Sequence, residues 1–170
     1  GAEVKAGQAT CAVWFKVPEA FQVVWWDGNN RWVTGNDSVL HLIGLLGVDG
    51  ARSRSIEFTE AIDGLSMDDR FSIANMAVEA GAKNGIFPVD SVTAAYMQAH
   101  GGEPGTAYTA DADAEYCTRL EIDLKNVPLT VAFPHLPENA RPIEAAEAQQ
   151  IAVDQVVIGS CTNGRMEDMR

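Results

Sequence analysis

Cysteine is scarce in this sequence of 170 residues, which contains only Cys11, Cys117 and Cys161 and no Cys-x-x-Cys pair. Secreted domains that are held together by disulfides usually carry an even number of closely spaced cysteines. The odd count and wide spacing argue against a disulfide framework. We therefore expect a reducing, cytoplasmic environment.

The sequence also lacks long hydrophobic runs and clusters of positive charge. No apolar stretch approaches the roughly 20 residues that a membrane-spanning helix needs, so we expect no membrane association. Lys and Arg total 12 against 24 Asp and Glu, which gives a formal net charge of -12. Because nucleic-acid binding depends on cations that neutralise phosphates, the composition argues against a nucleic-acid partner.

Strand-like and helix-like stretches alternate along the chain, a pattern that predicts an α/β fold. One helix is expected to begin at Asn36 or Asp37 and to end at Gly47, and another is expected to begin after Asp90. Strands are predicted at 12–17, 21–26 and 55–59, in "GIFPVD", "TRLEIDL" and "LTVAF", and as a buried strand in "QIAVDQVVIGS", whereas "PHLPENARP" is predicted to be an extended connection.

The clearest helix signal is the stretch "LSMDDRFSIANMAVEAGAKNG". Ser66 and Asp69 have the spacing of a capping box, so Ser66 is the predicted N-cap. Asn75 and Glu79 are four residues apart, which places both side chains on one face of a continuous helix. A solvated polar face is one interpretation of this pair. The other is a site, because Glu79 is surrounded in sequence by small and apolar residues and a carboxylate there suits proton transfer.

The last stretch, "VVIGSCTNGRMEDMR", places Cys161 between an apolar run and a charged segment that is compatible with a helix. Free backbone N–H groups at the start of a helix favour anions. Three interpretations of Cys161 stay open: a buried side chain that acts as a small apolar group, a nucleophilic thiol, and a ligand of a metal or an iron–sulfur cluster. Spacing alone does not separate them.

These stretches resemble the aconitase superfamily and, within it, the family of 3-isopropylmalate dehydratase large subunits. The Gly-Ser-Cys-Thr-Asn turn at Cys161 is similar to the first cysteine signature of that superfamily, and the resemblance covers the whole chain. Large subunits of homoaconitase and 2,3-dimethylmalate dehydratase are close cousins under the same resemblance. The shared stretches are, in chain order, "WFKVPEAFQVV", "HLIGLLGVDGA", "SIEFTEAID", "LSMDDRFSIANMAVEAGAKNGIFPVD", "RLEIDL", "VAFPHLPENARPI" and "DQVVIGSCTNGRMED".

The resemblance implies a fold, a reaction and a set of site residues. The fold would be an aconitase-like α/β/α architecture, with residues 1–26 ending a first domain, 27–127 forming a second, and 128–170 beginning a third. The reaction would be the reversible dehydration and rehydration of a hydroxy-di- or tricarboxylate, namely the isomerisation of 2-isopropylmalate and 3-isopropylmalate in leucine biosynthesis. A [4Fe–4S] cluster would be the cofactor and a small swivelling subunit the partner. By motif match, Cys161 is implied as a cluster ligand, Glu79 as the group that faces the substrate hydroxyl or water, and Asn75 as a hydrogen-bonding neighbour of the cluster.

The sequence also departs from the family's pattern. It lacks the upstream His-bearing and Asp-Ser-His stretches and the downstream Cys-x-x-Cys, Ala74 stands where the family often has Cys, and "EFTEAID" lacks a glycine after the Thr. From these departures and the missing initiator Met we expect a partial chain, without a cluster and inactive by itself. Two further hypotheses are a non-catalytic scaffold or interaction module and a thiol enzyme that uses Cys161.

Overall fold

Four parallel strands form the centre of the fold. The structure, a computed structural model, describes residues 7–12, 16–28, 31–103, 105–162, 164–166 and 168–169. The strands are β1 (Ala20–Trp26), β2 (Ser55–Glu60), β3 (Asn84–Ile86) and β4 (Thr118–Asp123). Their order in the sheet is β3-β2-β1-β4. Because helices connect the strands, the predicted α/β class is confirmed.

β1 ends at residue 26, the predicted end of the first domain, and its neighbours in the sheet all follow it in sequence. β1 pairs in parallel with β2 on one side and with β4 on the other. Strands adjacent in a parallel sheet come from segments far apart in sequence, and sequence patterns do not reveal such pairings. Residues 20–26 therefore belong to the same sheet as the segment assigned to the second domain.

The core lies on one face of this sheet, under two helices. These are α1 (Gly35–Leu46) and α2 (Met67–Met76). Side chains alternate across a strand, so every second residue enters the core. The core contains Phe21, Val23 and Trp25 from β1, Ile56 and Phe58 from β2, Val39, Leu42 and Ile43 from α1, and Ile73 from α2.

The start of α1 lies earlier than predicted. Thr34 is the N-cap rather than Asn36 or Asp37. The Asp37 carboxylate accepts hydrogen bonds from the Thr34 backbone N–H at 2.9 Å and from the distant Thr130 N–H at 2.8 Å. Asp37 thus supports the cap from inside the helix. The predicted end at Gly47 is confirmed.

The predicted cap of α2 at Ser66 is confirmed, and it also joins α2 to α1. The Asp69 N–H donates to Ser66 Oγ at 3.1 Å, and one Asp69 oxygen accepts from the Ser66 N–H at 3.2 Å. The other Asp69 oxygen accepts from the Gly35 N–H at 2.5 Å. A Cβ at position 35 would lie 2.8 Å from the Asp69 backbone, so this close approach requires glycine.

The third helix, α3 (Ser91–Ala99), begins after Asp90 as predicted. Arg70 on α2, whose side chain is 2% exposed, donates to both Asp90 carboxylate oxygens at 2.7 Å. These bonds hold the pKa of the Asp90 carboxyl well below its ordinary value. Arg70 also donates to the backbone carbonyls of Ile62 and Leu65, which leaves no nitrogen of its guanidinium unpaired.

Past the sheet, a small hairpin packs near α1. It consists of β5 (Thr130–Ala132) and β6 (Ala140–Pro142), which pair antiparallel, and the short helix α4 (Glu144–Glu147) follows. The stretch "PHLPENARP", predicted to be an extended connection, therefore contains a 3-10 turn at Pro137–Asn139 and the whole of β6.

The predicted buried strand in "QIAVDQVVIGS" is wrong. Residues 151–158, which we call the terminal apolar segment, contain no regular secondary structure, and Val157 is 81% exposed. A strand needs a neighbour to satisfy its backbone groups, and the described part of the chain pairs none with it. Of the strand predicted at 12–17, residues 13–15 lie outside the described residues and the others are not in a strand. In the part of the chain that the structure describes, no helix has the length and apolar character of a membrane span.

Candidate active site

The first component of the candidate site is one face of α2. Asp68, Phe71, Ser72 and Asn75 follow each other at intervals of three, one and three residues, so they form a single stripe along the helix. Ser72 is buried, whereas Asn75 is exposed. The stripe therefore has a sheltered centre and an accessible end at Asn75.

Glu79 lies beyond the end of α2, in a 3-10 turn at Ala77–Ala80. A 3-10 turn winds more tightly than an α-helix, so Asn75 and Glu79 do not lie on one continuous α-helix as predicted. Glu79 is exposed, and its neighbour Val78 is 62% exposed. The sheltered, apolar surroundings expected for the Glu79 carboxylate are therefore not found among the described residues.

The second component is the Cys161 turn, by which we mean the described residues 159–162 and 164. The Cys161 side chain is exposed, so the interpretation as a buried apolar group is wrong. Ser160 and Gly164 have φ values of 81° and 86°, in the left-handed region. A Cβ on Gly164 would lie 2.9 Å from Gly159 Cα, so the turn closes only with glycine at this position.

The helix expected after the Cys161 turn is also absent from the described residues 164–166 and 168–169, of which 166, 168 and 169 lie in turns. The Asp168 carboxylate accepts a hydrogen bond from the Arg165 N–H at 2.9 Å. Bonds of the same spacing cap the first turns of α1 and α2, but no helix follows this one among the described residues.

Arg165 brings the two components together. Its guanidinium donates to Ser72 Oγ at 2.8 Å and to the Cys161 carbonyl oxygen at 2.9 Å. Ser72 Oγ also lies 2.8 Å from the Thr162 carbonyl oxygen, to which it donates. The Cys161 turn is thus held on the face of α2 that carries Asn75. Sequence reasoning missed Arg165, because 93 residues separate it from Ser72 and neither has a local signal of the contact.

The α2 stripe and the Cys161 turn carry the exposed Cys161 thiol, the Asn75 amide and the Asp68 carboxylate, which lies 3.5 Å from the Arg165 guanidinium. The Glu79 carboxylate lies beyond the end of the stripe. Cys11, Cys117 and Cys161 are all free and exposed. Among the residues that the structure describes, no three or more His, Cys, Asp or Glu side chains gather in a group that could hold a metal ion. This part of the chain supplies one candidate thiolate ligand rather than a ligand set.

Two clefts lie away from these residues. One, of about 750 Å³, is next to α3 and the loop after it, and is lined mainly by small and apolar residues such as Ala94 and Met97. The other, of about 200 Å³, lies between α1 and the β5–β6 hairpin and is lined by His41 and Arg141. Burial lowers the pKa of His41. Neither cleft includes Asn75, Glu79 or Cys161.

The whole chain is similar to proteins of one known family. The model of the aconitase family (aconitate hydratase) matches residues 1–170. The chain is 57% identical over 169 residues to the 3-isopropylmalate dehydratase large subunit of Clostridium kluyveri, which covers 99% of this chain and 40% of that protein. The corresponding subunit of Acetivibrio thermocellus is 56% identical over 169 residues, with the same coverage.

A relative with a different name is similar to nearly the same extent. The 2,3-dimethylmalate dehydratase large subunit of Eubacterium barkeri is 53% identical over 169 residues, covering 99% of this chain and 40% of that protein. The chain therefore spans about 40% of the length of the curated relatives it matches.

Proposed function

This chain belongs to the aconitase family, and we propose that it is part of the large subunit of a hydro-lyase that dehydrates and rehydrates a small hydroxy acid. The observation that carries the proposal is the similarity along the whole chain, at 57% identity over 169 residues, to a dehydratase large subunit. The proposal includes a small subunit as partner, since the relatives are named as large subunits. It also includes a reducing, cytoplasmic location, which the three free cysteines support.

The proposed substrate is 3-isopropylmalate, which places the reaction in leucine biosynthesis. Two of the three relatives described above carry that name, at 57% and 56% identity. The second candidate substrate is 2,3-dimethylmalate, which the relative at 53% identity supports. Both are hydroxy diacids, so either requires a site that accepts two carboxylates.

Cys161 is the proposed ligand of a [4Fe–4S] cluster in the complete enzyme, where the cluster would supply a Lewis acid for the substrate hydroxyl. An exposed thiol on a turn that is held against a helix suits a ligand. The described residues do not fit a whole cluster, because they bring no three ligands together and such clusters are held by several thiolates. We therefore propose that the 170-residue chain is inactive by itself.

Asn75 and Glu79 are the proposed polar residues of the site. The Glu79 carboxylate is accessible to a substrate and can accept or return a proton, while the Asn75 amide can orient a substrate oxygen by hydrogen bonding. Asn75 lies on the stripe that holds the Cys161 turn, which supports a common site for these two residues.

The test uses the complete large subunit with its small subunit. Turnover of 3-isopropylmalate and of 2,3-dimethylmalate would be followed by the absorbance of the unsaturated product, with iron and sulfide measured on the same samples. We expect Glu79→Gln to lower kcat by about 100- to 10,000-fold, the range for loss of a general acid or base, with iron content unchanged. We expect Cys161→Ser to lose iron and sulfide.

Two matched variants serve as controls. Cys117→Ser removes another exposed thiol, and Glu103→Gln removes another exposed carboxylate, both away from α2. Both are expected to retain full activity and full iron content. Normal turnover of Glu79→Gln or of Cys161→Ser would refute the role of that residue, and absence of turnover of both substrates by the wild-type complex would refute the proposed reaction.

A further inference from the structure

The guanidinium of Arg165 contacts two segments that are distant in sequence. One terminal nitrogen donates to Ser72 Oγ at 2.8 Å, and the other donates to the Cys161 carbonyl oxygen at 2.9 Å. The third nitrogen, Nε, lies 3.5 Å from an Asp68 carboxylate oxygen. All three nitrogens of the planar group therefore have a partner, which only the rigid geometry of arginine permits.

The surroundings of Arg165 shelter these contacts from water. Its side chain is 25% exposed and that of Asp68 is 28% exposed, so the ion pair is better protected than a typical surface pair. The guanidinium also lies over the Phe71 ring, with 5.9 Å from its central carbon to the ring centroid. Partial desolvation strengthens both the ion pair and the contact with the ring.

Ser72 fixes the neighbouring peptide group. Its hydroxyl has one proton, and with Arg165 donating to its oxygen it donates that proton to the Thr162 carbonyl at 2.8 Å. The Asp68 carbonyl, at 3.0 Å, is the alternative acceptor. Two successive carbonyls, of Cys161 and of Thr162, are thus held on α2, one by Arg165 and one by Ser72.

We propose that Arg165 is a positioning residue, which fixes the backbone of Cys161 against α2 and so sets where the thiol lies relative to Asn75. Arg165 acts through the carbonyl of Cys161 and through Ser72, without contacting the thiol. The positioning itself is independent of the proposed function. Its consequence for turnover rests on the proposed function.

The first experiment measures the mobility of Cys161 in the 170-residue chain. A nitroxide spin label is attached to Cys161 in a background with Cys11→Ser and Cys117→Ser, and its electron paramagnetic resonance spectrum reports the mobility of the turn. We expect restricted motion with Arg165 present and a clear shift to fast motion in Arg165→Gln. Arg165→Lys, which keeps the charge but loses the fork, is expected to give an intermediate spectrum.

Two further variants test whether the label responds to the contacts of Arg165 and Ser72 rather than to the loss of any arginine. Ser72→Ala removes the oxygen shared by Arg165 and Thr162, so it is expected to mobilise the label from the side of the helix. Arg52→Gln removes an exposed arginine whose contact with Asp49 is 3.8 Å, and it is expected to leave the spectrum unchanged. Circular dichroism confirms that each variant is folded. Unchanged label mobility in both Arg165→Gln and Ser72→Ala would overturn the proposal.

The second experiment tests the consequence in the complete enzyme with its small subunit. Displacement of a site component by about 1 Å can lower turnover on the order of 100-fold, so we expect a loss of that size in Arg165→Gln and a smaller loss in Arg165→Lys. If Arg165→Gln mobilised the label on Cys161 but the complete enzyme with this substitution kept full turnover, Arg165 would have no positioning role in the reaction. A wild-type complex without turnover would refute the proposed function, while the label result would still decide whether Arg165 positions the turn.

Discussion

The parallel sheet and the terminal apolar segment have similar side chains but opposite environments. Val23 in β1 is completely buried, whereas Val157 in the terminal apolar segment is 81% exposed. Both lie in short runs rich in apolar residues, which sequence patterns interpret as buried strands. Burial of such a run depends on a neighbouring strand or helix. β1 lies between two paired strands, whereas no strand among the described residues pairs with the terminal apolar segment.

The two regions are also held in different ways. The core combines apolar burial with the Arg70–Asp90 pair, which ties α2 to the N-cap of α3. The Cys161 turn is held by polar contacts of Arg165 and Ser72 at the surface of α2. We therefore expect substitutions in the core to change global stability and substitutions in the terminal apolar segment to leave it almost unchanged.

The largest effect is expected for Arg70→Met. Methionine fills similar space but leaves two backbone carbonyls without their donor, and the Asp90 carboxylate keeps only its hydrogen bonds from Thr93. Removing one partner of a fully buried ion pair typically costs about 3–5 kcal/mol, and because Asp90 is 23% exposed we expect a loss at the lower end of that range. The free energy of unfolding of the 170-residue chain, measured by urea titration with circular dichroism, should fall by that amount.

Arg119→Met is the matched control for this substitution. Arg119 lies on β4 and pairs with Glu121 at 3.3 Å, but both side chains are 54% exposed. Exposed pairs contribute less than about 1 kcal/mol, so this variant should unfold near the wild-type urea concentration. Equal losses in the two variants would show that the burial of Arg70 does not determine how much its ion pair contributes to the free energy of unfolding.

Features that depend on a few consecutive residues could be predicted from the sequence. The caps at Ser66 and Asp90 and the helix end at Gly47 were all predicted correctly, because the groups that form each are within three or four residues of one another. The N-cap at Thr34 was missed by two or three residues. Asp37 has the right residue type for a cap, but its carboxylate supports Thr34 and also binds the distant Thr130 N–H.

Features that depend on distant residues could not be predicted in the same way. The sequence contains no signal that β1 is a central strand, which pairs with β2 on one side and with β4 on the other. For the site, the motif singled out Cys161, Asn75 and Glu79, whose roles stay predictions. The contact of Arg165 with Ser72 required the folded chain, because its partners are 93 residues apart.

A smaller effect is expected for Gly35→Ala. Alanine normally favours a helix relative to glycine by up to about 1 kcal/mol, but here the added Cβ would lie 2.8 Å from the Asp69 backbone. Forcing extra volume into a well-packed contact costs about 1–3 kcal/mol, so we expect a net loss of stability in urea unfolding. Gly64→Ala, where the added Cβ has no neighbour within 4 Å, should be neutral or slightly stabilising. Stabilisation by Gly35→Ala would refute the close contact between α1 and α2.

The smallest effect is expected for Val157→Thr, which tests the exposed side of the comparison directly. Threonine has nearly the shape of valine, so the substitution changes polarity with little change in volume. At the buried Val23 the same substitution places a hydroxyl in the core, where an unsatisfied polar group costs about 1–3 kcal/mol. At Val157 the hydroxyl would face water, and the free energy of unfolding of the chain should stay within about 0.5 kcal/mol of wild type. If Val157→Thr lost as much stability as Val23→Thr, the terminal apolar segment would have to be packed against the rest of the chain, and the contrast between the two regions would be wrong.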